Sequence, residues 1–517
     1  MMPSIVYPIE VDFPPLTTFS VLSMLLAAIA TSALFFLLIK NNWLLGRPAF
    51  AFAGLVNLLY QWPIAMASEQ IESSLASPLF FVLTPHLVVF GAIAWVSGTD
   101  RLSLSGATVA PRKLPTVEVT LSIAAALLFT LLYFARVPAR CTALFALIYD
   151  PASTLLAREV SIKFAGSTLA TSSYGALVNT VLPAIAAIGI VQIIFVGIKK
   201  RRPIAIAAWT LGIFVCITLI MLAGAKGLLL PLVGVVLLSA VFWSTSFWGK
   251  VFSGAASVLC IVSALAAFEL AKDRNGSVQA YDFAGCVNKL GANDQARELI
   301  ASMLERGGLN LRPEQIAELS KQFHTSANSQ TFATKRKSDV GTFTAGDYLK
   351  AIFNRAFIAP IQVAAWHHLY VDEIGSPGIG AFPLAKKIVG FSVDPTVLVY
   401  QRYGTVYSGG DKTSTSTAPT SFIFSWPAYF GFWGVALALA CVLALDVATA
   451  LILRRSPTNL LPVGVGLVAV ISFNMITSDF VVVMLSHGGA VALLLMGAYA
   501  AIEMQRRNGA TSQVTGP

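Results

Sequence analysis

The sequence predicts an all-helical protein that crosses a membrane many times. Two compositional observations predict this fold class: 56% of the 517 residues are hydrophobic and only 12% are charged, with a mean hydropathy of +0.74. Soluble globular proteins carry about 25% charged residues, so an ordinary soluble protein is excluded. The third observation is the length of the apolar runs, since about 20 apolar residues cross a bilayer as a helix with internal backbone hydrogen bonds.

Eleven apolar runs have this length. They cover residues 17–39, 48–68, 76–97, 115–136, 173–197, 203–223, 227–245, 250–270, 425–452, 459–479 and 481–502. The segment before the first run contains no lysine or arginine, so we expect an uncleaved anchor there and not a signal peptide. The predicted organisation is an N-terminal transmembrane bundle of about eight helices (1–270), a large outer loop (271–424), and about three C-terminal helices with a tail (425–517).

The orientation follows from basic residues in alternate loops. These follow the odd-numbered runs: Lys40, Arg47, Arg101, Arg112, Lys113, residues 199–202, Lys250, Arg454, Arg455, Arg506 and Arg507. The positive-inside rule therefore predicts an outer N-terminus, an inner C-terminus and an outer large loop. Arg136 and Arg140 conflict with this arrangement because they fall outside. Much of the net charge of +10 is then a topological signal, so we reject a nucleic-acid partner.

The five cysteines show neither CxxC nor Cys/His spacing, so the pattern suggests neither a zinc site nor a redox pair. Cys141 and Cys286 both fall in predicted outer segments. A disulfide between them is compatible with an oxidising compartment, and so are two unpaired thiols. Both alternatives stay open at this point.

Two outer segments are longer than turns. In the first, 137–172, residues 141–149 are apolar but too short to span, which predicts a re-entrant or interfacial helix. In the second, the large loop, residues 291–323 predict soluble helices and the aromatic run 348–370 predicts an amphipathic helix on the membrane interface. A turn is expected at 375–378, and the chain re-enters the membrane from residue 425.

Basic and aromatic side chains in these outer segments suit a lipid diphosphate carrying sugars. Arginine binds phosphate bidentately and can stabilise a leaving diphosphate without a metal. The candidate diphosphate ligands are Arg158, Lys163, Lys226 and Arg355. The candidate bases for an acceptor hydroxyl are His367, His368, Glu159 and Asp372. The candidate glycan contacts are Trp366, Tyr370, Arg402 and Tyr403.

Each candidate also has an ordinary structural interpretation. Interfacial basic residues commonly anchor helix ends or extend towards the headgroups, which applies to Arg158, Lys163 and Arg355. Adjacent histidines point to different helix faces, so at most one of the pair is expected to act. His86 and His487 are expected to be packing residues. Asp446 and Asp479, near opposite ends of spans, are expected to reach water.

Residues 354–360 form an Arg-aromatic-Pro stretch in the large outer loop, and residues 417–422 with 428–434 form a small-residue loop and a re-entry into the membrane. These motifs and the order of the parts resemble those of the Wzy-type polysaccharide repeat-unit polymerases of bacteria. Residues 155–163 and 223–227 match more loosely. The resemblance implies an inverting glycosyltransferase of the bacterial inner membrane that needs no metal or cofactor.

The same resemblance implies undecaprenyl-diphosphate-linked oligosaccharides as both donor and acceptor. It also implies a flippase and a chain-length regulator as pathway partners. Arg158 and Arg355 stand where two outer arginines are usual in the family. Lys226 replaces an arginine, which keeps the charge and loses the bidentate fork.

Two other functions remain as alternatives. An O-antigen ligase would share donor, topology and chemistry but pass the glycan to the lipid A core. A transporter or flippase of lipid-linked sugars would place its substrate at mid-membrane among broken helices, often in repeated halves. The sequence shows no repeat, few charges within the spans and one dominant outer loop, and these features favour an enzyme.

Overall fold

The computed structural model describes residues 18–67, 78–99, 116–149, 154, 157–158, 161, 168–193, 201–223, 229–243, 285–286, 357–378, 395–404, 418–457 and 460–514. Every regular element in these ranges is a helix. The predicted all-helical class is therefore confirmed for the described part of the chain. The predicted span 250–270 and the predicted soluble helices 291–323 lie outside the described residues.

The helices are numbered in chain order. The first half contains α1 (Thr18–Lys40), α2 (Pro48–Met66), α3 (Pro78–Gly98), α4 (Thr116–Phe134), α5 (Ala143–Tyr149), α6 (Thr168–Ala176, Leu177–Val181 and Leu182–Gln192 in succession), α7 (Pro203–Ile220) and α8 (Leu229–Trp243). The second half contains α9 (Ala359–Ile374), α10 (Pro395–Val399), α11 (Phe422–Phe430), α12 (Phe432–Arg455), α13 (Leu461–Thr477), α14 (Phe480–Leu485) and α15 (Gly489–Val514).

Seven described helices are long and apolar enough to cross a membrane. They are α1, α2, α3, α4, α6, α7 and α12; α13 is apolar but shorter. Each overlaps one of the predicted runs, which confirms a helical membrane protein. Large side chains such as Phe36, Leu131 and Phe214 are exposed on α1, α4 and α7. Such surfaces suit contact with lipid, because lipid tails are as apolar as leucine.

Two of the spans contain a π-helical turn, at Asn57–Gln61 in α2 and at Leu177–Val181 in α6. Pro63 and Pro183 follow these turns. Proline has no backbone N–H, so it cannot continue the α-helical hydrogen bonds to the preceding turn. The helix widens locally instead, and such turns often occur at functional sites.

The predicted span 425–452 is wrong at its beginning, because the chain forms two helices there. α11 ends at Phe430, and α12 begins at Phe432 after Gly431, whose φ of +60° favours glycine. α11 then packs back against α12. A Cβ at Gly434 would lie 2.1 Å from the Trp426 carbonyl oxygen, so the absent side chain permits this close approach.

Two carboxylates that are buried between the spans pair with arginines far away in the sequence. Asp446 of α12 forms an ion pair with Arg47, which precedes α2. At the start of α4, Glu118 is buried and accepts two hydrogen bonds from Arg506 at 2.7 and 2.9 Å. All four residues belong to the predicted inner ends of their spans. The expectation that Asp446 reaches water is wrong, because its side chain is fully buried.

A disulfide joins Cys141 to Cys286, with Cα atoms 5.6 Å apart. Both cysteines are buried. The sequence left this pairing open, and the structure shows that the two cysteines form a disulfide. It connects the segment that carries α5 to the beginning of the large loop.

Candidate functional site

Helix α9 carries five of the predicted site residues and lies inside the described bundle. It packs against α10, α11 and the π-helical turn of α2. Residues 361, 362 and 364–369 are buried. The expectation of an amphipathic helix on the membrane interface is therefore wrong for this part of the run. Its apolar residues face protein on several sides, whereas an interfacial helix would leave one face to lipid.

His367 is buried at the contact between α9 and α11. Its Nδ1 lies 2.6 Å from the Tyr429 hydroxyl and its Nε2 lies 2.9 Å from the Ala418 carbonyl oxygen. A carbonyl oxygen only accepts, so Nε2–H donates to Ala418 and Nδ1 accepts from Tyr429. Ser376 Oγ separately donates to the main-chain carbonyl oxygen of Tyr429 at 2.5 Å. Both nitrogens of His367 are thus engaged within the protein, away from any surface.

His368 points to another face of α9, as the sequence predicted for adjacent histidines. Its ring meets Phe81 edge-on at 5.2 Å between centroids, and it lies near the main chain of Phe424. Burial lowers the pKa of His368 to about 3, with a smaller contribution from His367. The imidazole is therefore neutral at ordinary pH.

The remaining candidates on α9 lie towards its C-terminal end. Trp366 is buried, Tyr370 is half-buried and Asp372 is exposed. The helix ends at Gly375, whose φ of +104° lets the chain turn, and Ser376 Oγ accepts from the Gly378 N–H at 3.0 Å. The turn predicted for residues 375–378 is confirmed. Of the described candidate bases, Asp372 is exposed and the two histidines are buried.

Arg402 and Tyr403 follow α10 in a π-helical turn, Tyr400–Gly404. Arg402 is exposed and its Nε donates to Glu373 of α9 at 2.7 Å. Tyr403 is buried, and its ring lies 5.7 Å from the Arg402 guanidinium carbon. The structure thus brings Arg402 beside the C-terminal end of α9. The rings of Trp366 and Tyr403 are buried in the protein interior.

Arg158 is exposed, and Ala157 beside it is buried. Ser161 Oγ donates to the Arg158 carbonyl at 3.0 Å, a local helical contact. No described contact links Arg158 to α9. The candidates Glu159, Lys163, Lys226 and Arg355 lie outside the described residues.

Comparison with protein-family models, with curated proteins and with solved structures finds no match. The function therefore rests on the residues themselves. Within the described ranges, no three His, Cys, Asp or Glu side chains are grouped so that they could hold a metal ion.

Sequence reasoning missed several polar residues that the structure brings next to α9. Gln61 and Tyr60 lie in the π-helical turn of α2, and Thr420 and Ser421 precede α11. All four are buried. The available signal was the pair Tyr60-Gln61, one turn after Asn57 in a mostly apolar span and followed by Trp62-Pro63.

Proposed function

We propose that the chain polymerises undecaprenyl-diphosphate-linked oligosaccharide repeat units at the outer face of a bacterial inner membrane. The observation that carries this proposal is the Cys141–Cys286 disulfide, which joins the two segments that charge distribution assigns to the outside. Disulfides persist in oxidising compartments such as the bacterial periplasm, so this bond supports that assignment. It also ties the segment that carries Arg158 to the large loop that carries Arg355 and α9.

The reaction is an inverting glycosyl transfer that needs no metal. The bond between the sugar's anomeric carbon and the donor diphosphate breaks, and the diphosphate leaves with the electron pair. The acceptor hydroxyl forms the new glycosidic bond and gives its proton to a carboxylate or imidazole. Arg158 is exposed and can stabilise the leaving diphosphate. Asp372 is the described candidate base that an acceptor can reach without an opening of α9.

Replacing the predicted diphosphate ligands tests the proposal in cells. Arg355→Ala and Arg158→Ala should each remove long polymer without lowering membrane abundance, because one charge-assisted contact to the developing charge contributes about 3 kcal/mol, roughly a hundredfold in rate. Lysine at either position should be nearly as harmful, since it lacks the bidentate fork. Polymer length on gels and immunoblotting of membranes are the measurements.

Arg140→Ala is the matched control, because Arg140 is an exposed arginine of the same outer segment and is not a candidate. Normal polymer length in Arg158→Ala or Arg355→Ala would remove that residue from the site. Equal damage in Arg140→Ala would show a general effect of charge and not diphosphate binding.

Deletion and reconstitution separate the polymerase from the two alternatives. A strain lacking a polymerase makes single repeat units on lipid A, whereas a strain lacking a ligase makes none. Purified protein mixed with lipid-linked oligosaccharide should release the lipid diphosphate in the presence of EDTA. No release across defined substrates would instead favour a transporter.

A further inference from the structure

The central helix α13 ends deeper in the bundle than its neighbour α2. It packs against α2 and α8, and most of its residues are buried. The Tyr60 hydroxyl of α2 donates to the Ile476 carbonyl at the end of α13, at 2.6 Å. From Tyr60, α2 continues for six residues to Met66, about 9 Å of helix. α13 therefore stops short of the end of α2 that is predicted to face outside.

Residues 478–488 connect α13 to α15 and include α14; they lie equally deep against α6. A Cβ at Gly175 would lie 1.8 Å from the Ser486 carbonyl oxygen, and Thr180 Oγ1 donates to the Gly488 carbonyl at 3.0 Å. α6 begins seven residues before Gly175, so about 10 Å of helix extends beyond this contact. Two independent sets of contacts thus place the 478–488 connection in a recess, deeper than the ends of α2 and α6.

Side chains on the floor of this recess are accessible. Thr477 is exposed, Leu485 is 51% exposed, and Ser478 and His487 are half-buried. α13 is buried among other helices along most of its length. Exposure at its end therefore indicates an opening between helices.

His487 stands at this opening with one ring nitrogen held. Its Nε2 lies 3.0 Å from Ser478 Oγ, and within the described residues its Nδ1 has no hydrogen-bond partner. When Nε2–H donates to Ser478, the lone pair of Nδ1 is free to accept a proton. The other described histidines, at positions 86, 367 and 368, are buried. His487 is therefore the described histidine that a ligand can reach.

The 478–488 connection also lies between two predicted parts of the site. On one side, Ala157, next to Arg158, belongs to a buried cluster formed with α6, and Val491 at the start of α15 packs against that cluster. On the other side, Asp479 accepts from the Trp426 indole of α11 at 2.7 Å. The segment that carries Arg158 and the helix pair α9 and α11 thus pack around the same connection.

We infer that His487 is the base of the proposed glycosyl transfer and that Ser478 positions it. This inference rests on the polymerase proposal. As the acceptor oxygen bonds to the anomeric carbon of the donor, its proton passes to His487 Nδ1. The bond from that carbon to the diphosphate breaks, and the diphosphate leaves with the electron pair. The imidazolium keeps its Nε2–H bond to Ser478 and then gives the proton to water.

Release of lipid diphosphate by the purified full-length protein from lipid-linked oligosaccharide tests this role. His487→Gln keeps an N–H for Ser478 and removes the proton acceptor, so kcat should fall by about 10²- to 10⁴-fold while KM changes little. His487→Ala should lose as much, and added imidazole should recover part of that loss without stimulating the wild type. Ser478→Ala should lower kcat by about two- to tenfold, equivalent to one ordinary hydrogen bond.

Ser97→Ala is the matched control for Ser478→Ala and should leave kcat unchanged. Ser97 is an exposed serine at the other end of the bundle, and its hydroxyl donates to Ile93 of its own helix at 2.8 Å. A normal kcat in His487→Gln overturns the inference, and so does His487→Ala that imidazole does not restore. A large loss in Asp372→Asn with a normal kcat in His487→Gln would assign the base to Asp372.

The wild-type protein separates this inference from the polymerase proposal. A wild type that releases lipid diphosphate while His487→Gln is equally active overturns the role of His487 alone. A wild type that releases none from any defined substrate overturns the polymerase proposal and the role of His487 with it.

Discussion

The Asp446 carboxylate accepts hydrogen bonds from the Arg47 guanidinium, from the Trp95 indole at 2.9 Å and from the Ala49 main chain at 3.1 Å. Arg47 Nη2 also donates to Thr99 at 2.9 Å. The pair thus fastens the beginning of α2 and the end of α3 to α12. The positive-inside rule placed Arg47 at the inner face. Only its three-dimensional neighbours show that this cation is paired and buried.

Asp446→Asn should strongly destabilise the protein, because it leaves the Arg47 charge buried without a counter-charge. Breaking a buried pair from one side costs about 3 to 5 kcal/mol. The paired replacement Arg47→Met with Asp446→Leu should recover most of this loss, which a thermal-unfolding series would measure. Glu503→Gln, which breaks the exposed contact to Arg507, is the control and should cost at most about 0.5 kcal/mol. Equal losses of stability in Asp446→Asn and Glu503→Gln would contradict a stabilising role of the buried Arg47–Asp446 ion pair.

His368 gives a pH dependence of known sign. Its folded pKa, about 3, is below the unfolded value of 6.5, so the unfolded chain takes up the proton first as the pH falls. The free energy of unfolding is therefore not lowered by His368 above pH 6.5. Between pH 6.5 and pH 3 it declines by about 1.4 kcal/mol per pH unit. Thermal unfolding at pH 7.5 and pH 5 should show a smaller decline for His368→Phe than for the wild type. Equal declines would mean that His368 is protonated in the folded protein.

At the scale of elements, α11 and α12 form a tight hairpin in place of one continuous span. Residues 425–452 form one run that is apolar apart from a few positions such as Asp446 and Thr449. Hydropathy carries no information about a break within such a run. The break depends on the backbone at Gly431 and on the contact between Gly434 and Trp426, which form only when the two helices pack.

Gly434→Ala should open this hairpin. The new Cβ would stand 2.1 Å from the Trp426 carbonyl oxygen, a backbone atom that cannot move without displacing α11. We expect a loss of about 2 kcal/mol, in the range for overpacked cores, measured as a lower apparent Tm.

Gly497→Ala in α15 is the matched control. Nothing lies within 4 Å of its Cβ, so helix propensity should leave stability unchanged or raise it by up to about 1 kcal/mol. Identical shifts of the apparent Tm in Gly434→Ala and Gly497→Ala would contradict the close packing of α11 against α12.

At the scale of the whole molecule, the disulfide links residues 145 positions apart. A crosslink that closes a long loop restricts the unfolded chain more than one that closes a short loop. It also couples the α5 segment to the large loop, so the predicted diphosphate ligands Arg158 and Arg355 belong to segments that are covalently joined at their starts.

Cys141→Ser and Cys286→Ser should each lower stability by about 2 to 4 kcal/mol, and the double variant should lose no more than either one. Alkylation of the denatured protein should attach two fewer labels before reduction than after. Cys441→Ser is the control, because the Cys441 thiol is free. The same label count before and after reduction would exclude the bond.

The sequence by itself determined the membrane class and the positions of most of the apolar helices, and it predicted an orientation. These depend on local composition and on charge next to each span, and neither requires knowledge of what packs against what. It also predicted that His367 and His368 point in different directions, because that follows from helix geometry.

Only the tertiary structure decided which polar groups are buried and with which partners. His367 and Asp446 look like solvent-facing candidates along the chain, but their partners Tyr429, Ala418 and Arg47 come from other segments. The break at Gly431 and the Cys141–Cys286 bond depend in the same way on contacts between elements. Burial and pairing are set by neighbours in space, and no local pattern in the sequence encodes them.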